Sequence, residues 1–114
     1  MERARCIQGA QIATLIGNPS KAEVVVQRVK IPPNFKNAPH THSYSEVVTV
    51  LSGHYGNAMG HEKGEVLAPG SVFALLAGHV HHTWTENEEV IVQANFVGPA
   101  NITFVNPADD PRKK

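Results

Sequence analysis

Two histidines and a glutamate near the middle of the chain have the types and spacing of metal ligands. His40, His42 and Glu46 all occupy even positions, and residues two and four apart share one face of an extended strand. Two imidazoles and one carboxylate are natural ligands for a divalent transition metal, with coordination positions left for water or substrate. His81, in a second histidine-containing segment, can supply another imidazole. We therefore predict that the two segments meet around one metal inside a small β-barrel.

Short β-strands must position these ligands. Runs rich in β-branched residues are separated by Gly, Pro, Asn and Asp at roughly 8–12-residue intervals, a pattern typical of an all-β sandwich or barrel. The predicted strands cover residues 11–16, 23–31, 46–51, 54–59, 65–68, 71–76, 81–86, 90–97 and 101–105. Residues 35–39 are predicted to form a loop. No long stretch has helical spacing.

Length and composition indicate a single domain. The chain has 114 residues, 41% of them hydrophobic, and a formal net charge of zero, so nothing suggests binding to nucleic acid or an anionic membrane. We expect an N-terminal segment with an edge strand over 1–22, a barrel over 23–105 and a tail over 106–114. The basic residues 112–114 are interpreted as a solvated tail. Seven histidines are many for this length.

The expected compartment is the cytoplasm. Cys6 is the only cysteine, so no intramolecular disulfide can form, which fits a reducing compartment. The first residues contain no apolar leader segment, and no window approaches the roughly 18–20 apolar residues of a membrane span. The sequence therefore predicts a soluble protein.

The spacing of the candidate ligands resembles the two sequence motifs of the cupin superfamily. The matching residues are His40, His42, Glu46, Gly53, Gly78 and His81. The similarity extends over about residues 25–105, and the tail at 106–112 resembles that of small single-domain bacterial cupins. The resemblance implies a jelly-roll β-barrel in which three histidines and Glu46 hold the metal.

Three positions depart from the usual cupin motifs. Asn34 replaces the usual glycine before the first histidine, and Leu76 replaces the usual proline before the second-motif glycine. Thr85 stands where an asparagine is sometimes found. None of the three is a ligand position, so the predicted site is unaffected.

The donor set suits Fe(II), Mn(II), Ni(II), Cu(II) or Zn(II), and we expect one such ion per chain. Partners for the other ring nitrogens of the histidines are also expected; the candidates are Ser43, Tyr44, Ser45, Thr83 and Gln93. His82 should point away from the site if His81 points inward, and the turn residue His79 is a weaker candidate than His81. His54 and His61 are interpreted as surface residues.

One strand leaves two orientations open. In 90–97, the residues Val90, Val92, Ala94 and Phe96 share one face, and Gln93 and Asn95 lie on the other. If Gln93 and Asn95 point into the barrel, they could orient a substrate or a metal-bound water; otherwise they lie outside. The remaining aromatic residues are interpreted mainly as packing residues.

The resemblance implies several classes of function, since cupins include dioxygenases, isomerases, decarboxylases and proteins that only bind ligands. Our first hypothesis is a metal-dependent, oxygenase-type oxidoreductase acting on a small organic molecule, with Glu46 as a ligand and a possible catalytic base. The alternative is a non-catalytic metal- or ligand-binding module, such as a sensor or storage protein, and a third hypothesis is a purely structural metal. We also expect a homodimer that pairs through edge strands at 11–16 or 23–31.

Overall fold

The computed structural model describes residues 2–3, 9–60 and 62–113, which form two antiparallel sheets. The six-stranded sheet contains β1 (Glu2–Arg3), β2 (Gln11–Ile16), β3 (Val24–Ile31), β5 (Glu46–Ser52), β8 (Val72–Leu75) and β10 (Val90–Val97), in the order β1-β2-β3-β10-β5-β8. The five-stranded sheet contains β4 (Lys36–Thr41), β6 (Tyr55–Met59), β7 (Glu65–Leu67), β9 (His81–Trp84) and β11 (Thr103–Phe104), in the order β11-β4-β9-β6-β7. Two 3₁₀ turns follow, at Pro107–Asp109 and Pro111–Lys113. The predicted all-β architecture is confirmed.

The core lies between the facing sheets. Side chains from both sheets form one apolar cluster that includes Val29, Ile31, Val48, Val50, Tyr55, Leu75, Val90 and Val92. The alternation within β10 settles the orientation left open by the sequence: Val92 and Ala94 are buried, while Asn95 is exposed on the outer face. Gln93 also lies outside, where its Oε1 accepts a hydrogen bond from Arg28. Neither residue can therefore orient a substrate inside the barrel.

The predicted loop at residues 35–39 is wrong, because β4 already begins at Lys36. Pro39 favoured a loop, since proline has no N–H to donate to a ladder. In the structure the register between β4 and β9 shifts between Asn37 and His40. Pro39 lies within this irregularity, where a regular ladder hydrogen bond is not required.

The prediction that His40, His42 and Glu46 lie along one strand is also wrong. β4 ends at Thr41 and β5 begins at Glu46, and these two strands belong to different sheets. The connection over 42–45 therefore crosses from one layer of the barrel to the other. The three residues still line one cavity, because both strands border the same interior.

Asn34 explains how the chain tolerates the missing motif glycine. Its φ is 57°, in the left-handed region that glycine adopts readily. Asparagine is among the few other residues that enter this region at low cost. Its N–H donates to the carbonyl of Glu86, so the turn that leads into β4 is kept without glycine.

The structure also changes two expectations from the sequence, one about the edge strands and one about the C-terminal tail. β3 has a hydrogen-bonded neighbour on each side, β2 and β10, so it cannot serve as the expected edge strand. The tail is more than a solvated extension, because the guanidinium of Arg112 donates to Asp110 and to the carbonyl of Ile102. Within the described ranges, no helix has the length and apolar character needed to cross a bilayer.

Candidate metal centre

The two histidine segments meet at one end of the barrel. His40 of β4 and His81 of β9 are direct partners in the antiparallel ladder, and their rings are 4.2 Å apart between centroids. His42 follows the end of β4, and its carbonyl accepts a hydrogen bond of 2.9 Å from the N–H of Gly78. Gly78 has a φ of 76°, a conformation that few residues other than glycine adopt. The ladder and this turn together bring three imidazoles into contact.

Backbone carbonyls orient all three imidazoles in the same way. The Nδ1 atom lies 2.7 Å from the oxygen of Ala38 for His40, and 2.5 Å from that of Asn101 for His42. For His81 it lies 3.3 Å from the oxygen of His79. A carbonyl can only accept, so each Nδ1 carries the proton and each Nε2 keeps its lone pair.

The three imidazoles fit a metal ion. One ligand atom from each of His40, His42 and His81 lies within 4.8 Å of the others, and no ligand atom needs to lose a proton before it binds. The second nitrogen of each ring is held by a hydrogen bond, as is usual for histidine ligands.

Burial keeps the imidazoles neutral. The pKa of His40 is lowered from 6.5 to about 3, mainly by desolvation and to a smaller extent by the neighbouring histidines. Desolvation also lowers the pKa of His81 to about 4, with a contribution from His42. The pKa of His42 itself is lowered for the same main reason. A neutral cluster can bind a cation without competition from protons over most of the acid range.

Glu46 approaches the cluster from the opposite sheet. Its Oε2 lies 4.0 Å from the Nε2 of His42, and both side chains are 14% exposed. Burial raises the pKa of Glu46 from 4.5 to about 7. The carboxyl group is therefore placed beside the histidines, and near neutral pH it can either accept or release a proton.

A cavity of about 240 Å³ extends from the histidines into the barrel. Its wall is mainly apolar and includes Val29, Ile31, Phe35, Val48, Leu75, Val92 and Phe96. Tyr55 and Thr83 add hydroxyl groups, which hydrogen-bond to each other. The cavity suits a small, largely apolar molecule with a few polar groups.

Of the residues predicted to hydrogen-bond to the histidine ligands, Tyr44 lies near a ligand, whereas Ser43 and Ser45 hold the loop that carries it. The Tyr44 hydroxyl lies 3.1 Å from Nδ1 of His42, and its ring stacks on Phe96 at 4.6 Å. Ser45 accepts a hydrogen bond from the N–H of Ala77 and Ser43 interacts with Asn101, so both serines fix the ligand loop.

The residue that sequence reasoning missed is Asn101. Its backbone oxygen accepts from His42, and its side chain holds the N–H of Ser43 at 3.0 Å. No motif signals it, because the contact to the imidazole is made by the main chain.

The other histidines lie away from the cluster where they are described. His82 lies on the opposite side of β9 from His81, with its ring 5.7 Å from that of Trp84. His79 is exposed and contributes only its carbonyl to the site. His54 is exposed, with Nδ1 2.6 Å from a carboxylate oxygen of Glu88. His61, predicted at a hairpin tip, lies outside the described residues.

Solved structures with the same fold have diverse names. The polyketide cyclase RemF from Streptomyces resistomycificus has a TM-score of 0.81 and 21% identity, with coverage of 98% of this chain and 82% of its own. The DMSP lyase DddQ from Ruegeria pomeroyi has a TM-score of 0.76 and 20% identity over 86% of this chain. This chain covers 52% of that lyase. KdgF from Halomonas sp. has a TM-score of 0.71 and 18% identity, with coverage of 85% and 87%.

Sequence comparison identifies the family. No curated protein matches the chain. The cupin family model matches residues 17–108, a span that includes the three clustered histidines, Glu46 and the turn glycine Gly78. With the two facing sheets and the similar solved structures, this match shows that the chain belongs to the cupin family.

Proposed function

We propose that this cupin binds one divalent transition metal through His40, His42, His81 and Glu46 and acts on a small organic molecule in the adjoining cavity. The observation that carries the proposal is the convergence of three neutral imidazoles within 4.8 Å, beside a carboxyl group and an apolar chamber. When bound, such a metal supplies Lewis acidity and open positions for oxygen or a substrate oxygen.

The protein's own groups would bind, orient and transfer protons. The carbonyls of Ala38, His79 and Asn101 hold the imidazoles in one tautomer. The apolar wall excludes water around the bound molecule, which strengthens electrostatic interactions inside the site. Glu46, with a pKa raised by burial to about 7, is suited to remove or return a proton, because general catalysis is most effective near the operating pH.

Our preferred reaction class is an oxygenase-type oxidation. A ligand set of three histidines and one glutamate leaves positions open on a metal of octahedral preference, as a reaction with O₂ requires. Oxalate oxidase, a redox enzyme by its name, is among the proteins with a similar fold, at a TM-score of 0.69.

The carboxyl group of Glu46 favours a second candidate, a proton-transfer reaction without O₂. Its pKa near neutrality and its distance of 4.0 Å from His42 suit a base beside a Lewis acid. Two proteins of similar fold are named as a lyase and a cyclase. Both candidates use the same metal ligands and the same base, and they differ in the metal that supports turnover and in the need for O₂.

The test begins with elemental analysis of the purified protein, followed by reloading of a metal-free preparation with Mn, Fe, Ni, Cu or Zn. Catechols, diketones, thiols and flavonoids are then screened for O₂ uptake and, under anaerobic conditions, for product. Oxygen consumption with Fe or Mn supports the oxygenase, whereas anaerobic turnover with Zn supports proton transfer. Metal binding without turnover of any compound in the panel would support the alternative, a sensor or storage module. Failure of every metal to bind would refute the proposal.

We also propose that the protein forms a homodimer through β2. Among the described residues, β1 pairs with β2 only at Gln11 and Ile12, so the rest of that edge has no partner strand in one chain. An open edge favours pairing with a second copy. Light scattering at micromolar concentration tests this, and a monomer would refute it.

A further inference from the structure

The C-terminal segment contributes a cation to the wall of the metal cavity. Arg112, in the second 3₁₀ turn, is the single lysine or arginine among the cavity-lining residues that the structure describes. It lines the same chamber as His42, Tyr44 and Asn101. Its side chain is 38% exposed, so this part of the wall lies next to solvent. A fixed positive charge at such a position bears directly on which molecules the chamber binds.

The position of Arg112 is fixed by the fold. Nε and Nη2 each donate to a carboxylate oxygen of Asp110 at 2.9 Å, and Nη2 also donates to the carbonyl of Ile102 at 3.1 Å. Asp110 is itself buried, with 6% of its surface exposed. The N–H of Arg112 also donates to Asp110. These contacts are more than a mobile tail would make, and they hold the guanidinium in one orientation.

The two members of the ion pair differ in their relation to the cavity. Arg112 belongs to the cavity wall and Asp110 does not. Of the two, Arg112 is therefore the residue that a molecule in the cavity can contact. A bound molecule that carries one carboxylate would place its negative charge beside this cation, while its apolar part would contact the largely apolar wall of the chamber.

We propose that the cavity selects small monocarboxylates, with the carboxylate held at Arg112 and an apolar body of the molecule in the chamber. This inference rests on the proposed function, in that it assigns the class of molecule that the metal cavity takes. Arginine is suited to the role because its planar group binds carboxylates through charge-assisted hydrogen bonds. Arg112 is a specificity-determining residue in this proposal, and it does not take part in proton transfer.

The test compares charged and neutral molecules of one shape. Benzoate and hexanoate are titrated against benzamide and hexanamide, with binding followed by amide chemical shifts in the metal-free and the Zn²⁺-loaded protein. We expect the wild type to prefer each acid by about tenfold or more, the equivalent of one charge-assisted hydrogen bond. In Arg112→Gln the preference should fall to about one- or twofold. Lys113→Gln, which removes the same charge one residue away, should keep it.

The chemical shift of the Arg112 side-chain Nε–H gives a second readout in the unmodified protein. It should move with benzoate and not with benzamide, so the proposal can be judged even if Arg112→Gln disturbs the tail. An equal preference in Arg112→Gln and wild type would overturn the inference, as would binding by no member of the panel. Tighter binding of phenylphosphonate than of benzoate would overturn the assignment to carboxylates.

The metal-free arm separates this inference from the proposed function. If the acid preference depends on Arg112 but no metal binds, only the metal proposal fails. If metal binds with high affinity and the preference is absent or independent of Arg112, only the present inference fails.

Discussion

The Nδ1 atom of His42 lies 2.5 Å from the backbone oxygen of Asn101, a residue 59 positions later in the chain. The loop between β10 and β11 therefore fixes a candidate ligand that stands between β4 and β5. The side chain of Asn101 strengthens the connection, since Oδ1 accepts from the N–H of Ser43 and Nδ2 donates to the Ser43 hydroxyl.

Replacement of Asn101 should weaken the metal site without removing a ligand. Asn101→Ala releases the loop at Ser43 and lets the carbonyl that orients His42 move, so we expect Zn²⁺ affinity to fall about 10–100-fold, as for other residues that orient ligands. Calorimetry of the metal-free protein measures the change. Asn95→Ala, an identical substitution at an exposed position on β10, should have no effect. Equal affinities in the two variants would contradict the role of Asn101.

Removal of His81 should abolish metal loading. His81 is 2% exposed and is the ladder partner of His40, so no other described histidine can take its place. We expect His81→Ala to lose more than about 100-fold in affinity, a larger effect than that of residues that only orient ligands. His54→Ala, which changes an exposed histidine paired with Glu88, is the control. Normal metal content in His81→Ala would refute the site.

Metal binding should release a proton from Glu46 below neutral pH. Because burial raises its pKa to about 7, Glu46 is largely protonated at pH 6 in the metal-free protein, and it must ionise to become a ligand. His40 and His81, with pKa values near 3 and 4, release none. We expect close to one proton per Zn²⁺ at pH 6, and almost none in Glu46→Gln. Calorimetry in buffers of different ionisation enthalpy gives the count, and an unchanged count in the variant would show that Glu46 is not a ligand.

The stability of the metal-free protein should depend on pH through the same carboxyl group. Between about pH 4.5 and 7 the unfolded chain loses the Glu46 proton while the folded protein keeps it, so this group lowers the free energy of unfolding as pH rises through that window. Relative to wild type, Glu46→Gln should gain little below pH 4 and about 3 kcal/mol above pH 7. Urea unfolding at several pH values measures the difference. A gain that does not change with pH would contradict the expectation.

The lowered pKa values of the histidines act in the opposite direction. Between about pH 4 and 6.5 the unfolded chain protonates residues that remain neutral in the folded protein, so stability should increase as pH rises. Glu46→Gln isolates this effect, and each unit of pKa difference contributes about 1.4 kcal/mol per histidine. A flat profile for Glu46→Gln in this window would show that the cluster is not desolvated.

One packing contact should limit substitution on the outer face of the five-stranded sheet. A Cβ atom on Gly56 would lie 2.1 Å from the indole of Trp84, its ladder partner. Gly56→Ala should therefore destabilise the protein by about 1–3 kcal/mol, the usual cost of overpacking. The chain has one tryptophan, so its fluorescence reports the displacement. In a Trp84→Ala background the same substitution should cost almost nothing, and an equal cost there would contradict the packing argument.

Features that depend on local sequence could be predicted for this chain, whereas features that depend on the path of the chain between the sheets could not. Strand positions such as Gln11–Ile16 and Val90–Val97 could be predicted because β-branched composition and turn residues act locally. His40 and His81 were identified from motif spacing. Spacing by even numbers cannot detect that the chain changes sheets between His42 and Glu46, and for this reason the three candidate ligands do not lie on the single strand that their spacing predicts.

Long-range contacts by the main chain and the tail leave no local signal. The carbonyl of Asn101 is common to every residue type, so no side-chain motif marks its contact with His42. Arg112 was interpreted as solvated because its neighbours in sequence are basic, whereas its position depends on Asp110 and on the carbonyl of Ile102.

The crossing of the chain between the two sheets has a mechanical consequence. His40 and His81 belong to one sheet and Glu46 to the other. An ion bound by all three would therefore link the two sheets at one end of the barrel. Loading would then slow hydrogen exchange in β5 and β10 as well as in β4 and β9, since opening either layer would require breaking the same bonds. With the site occupied, the two sheets would therefore open together rather than separately.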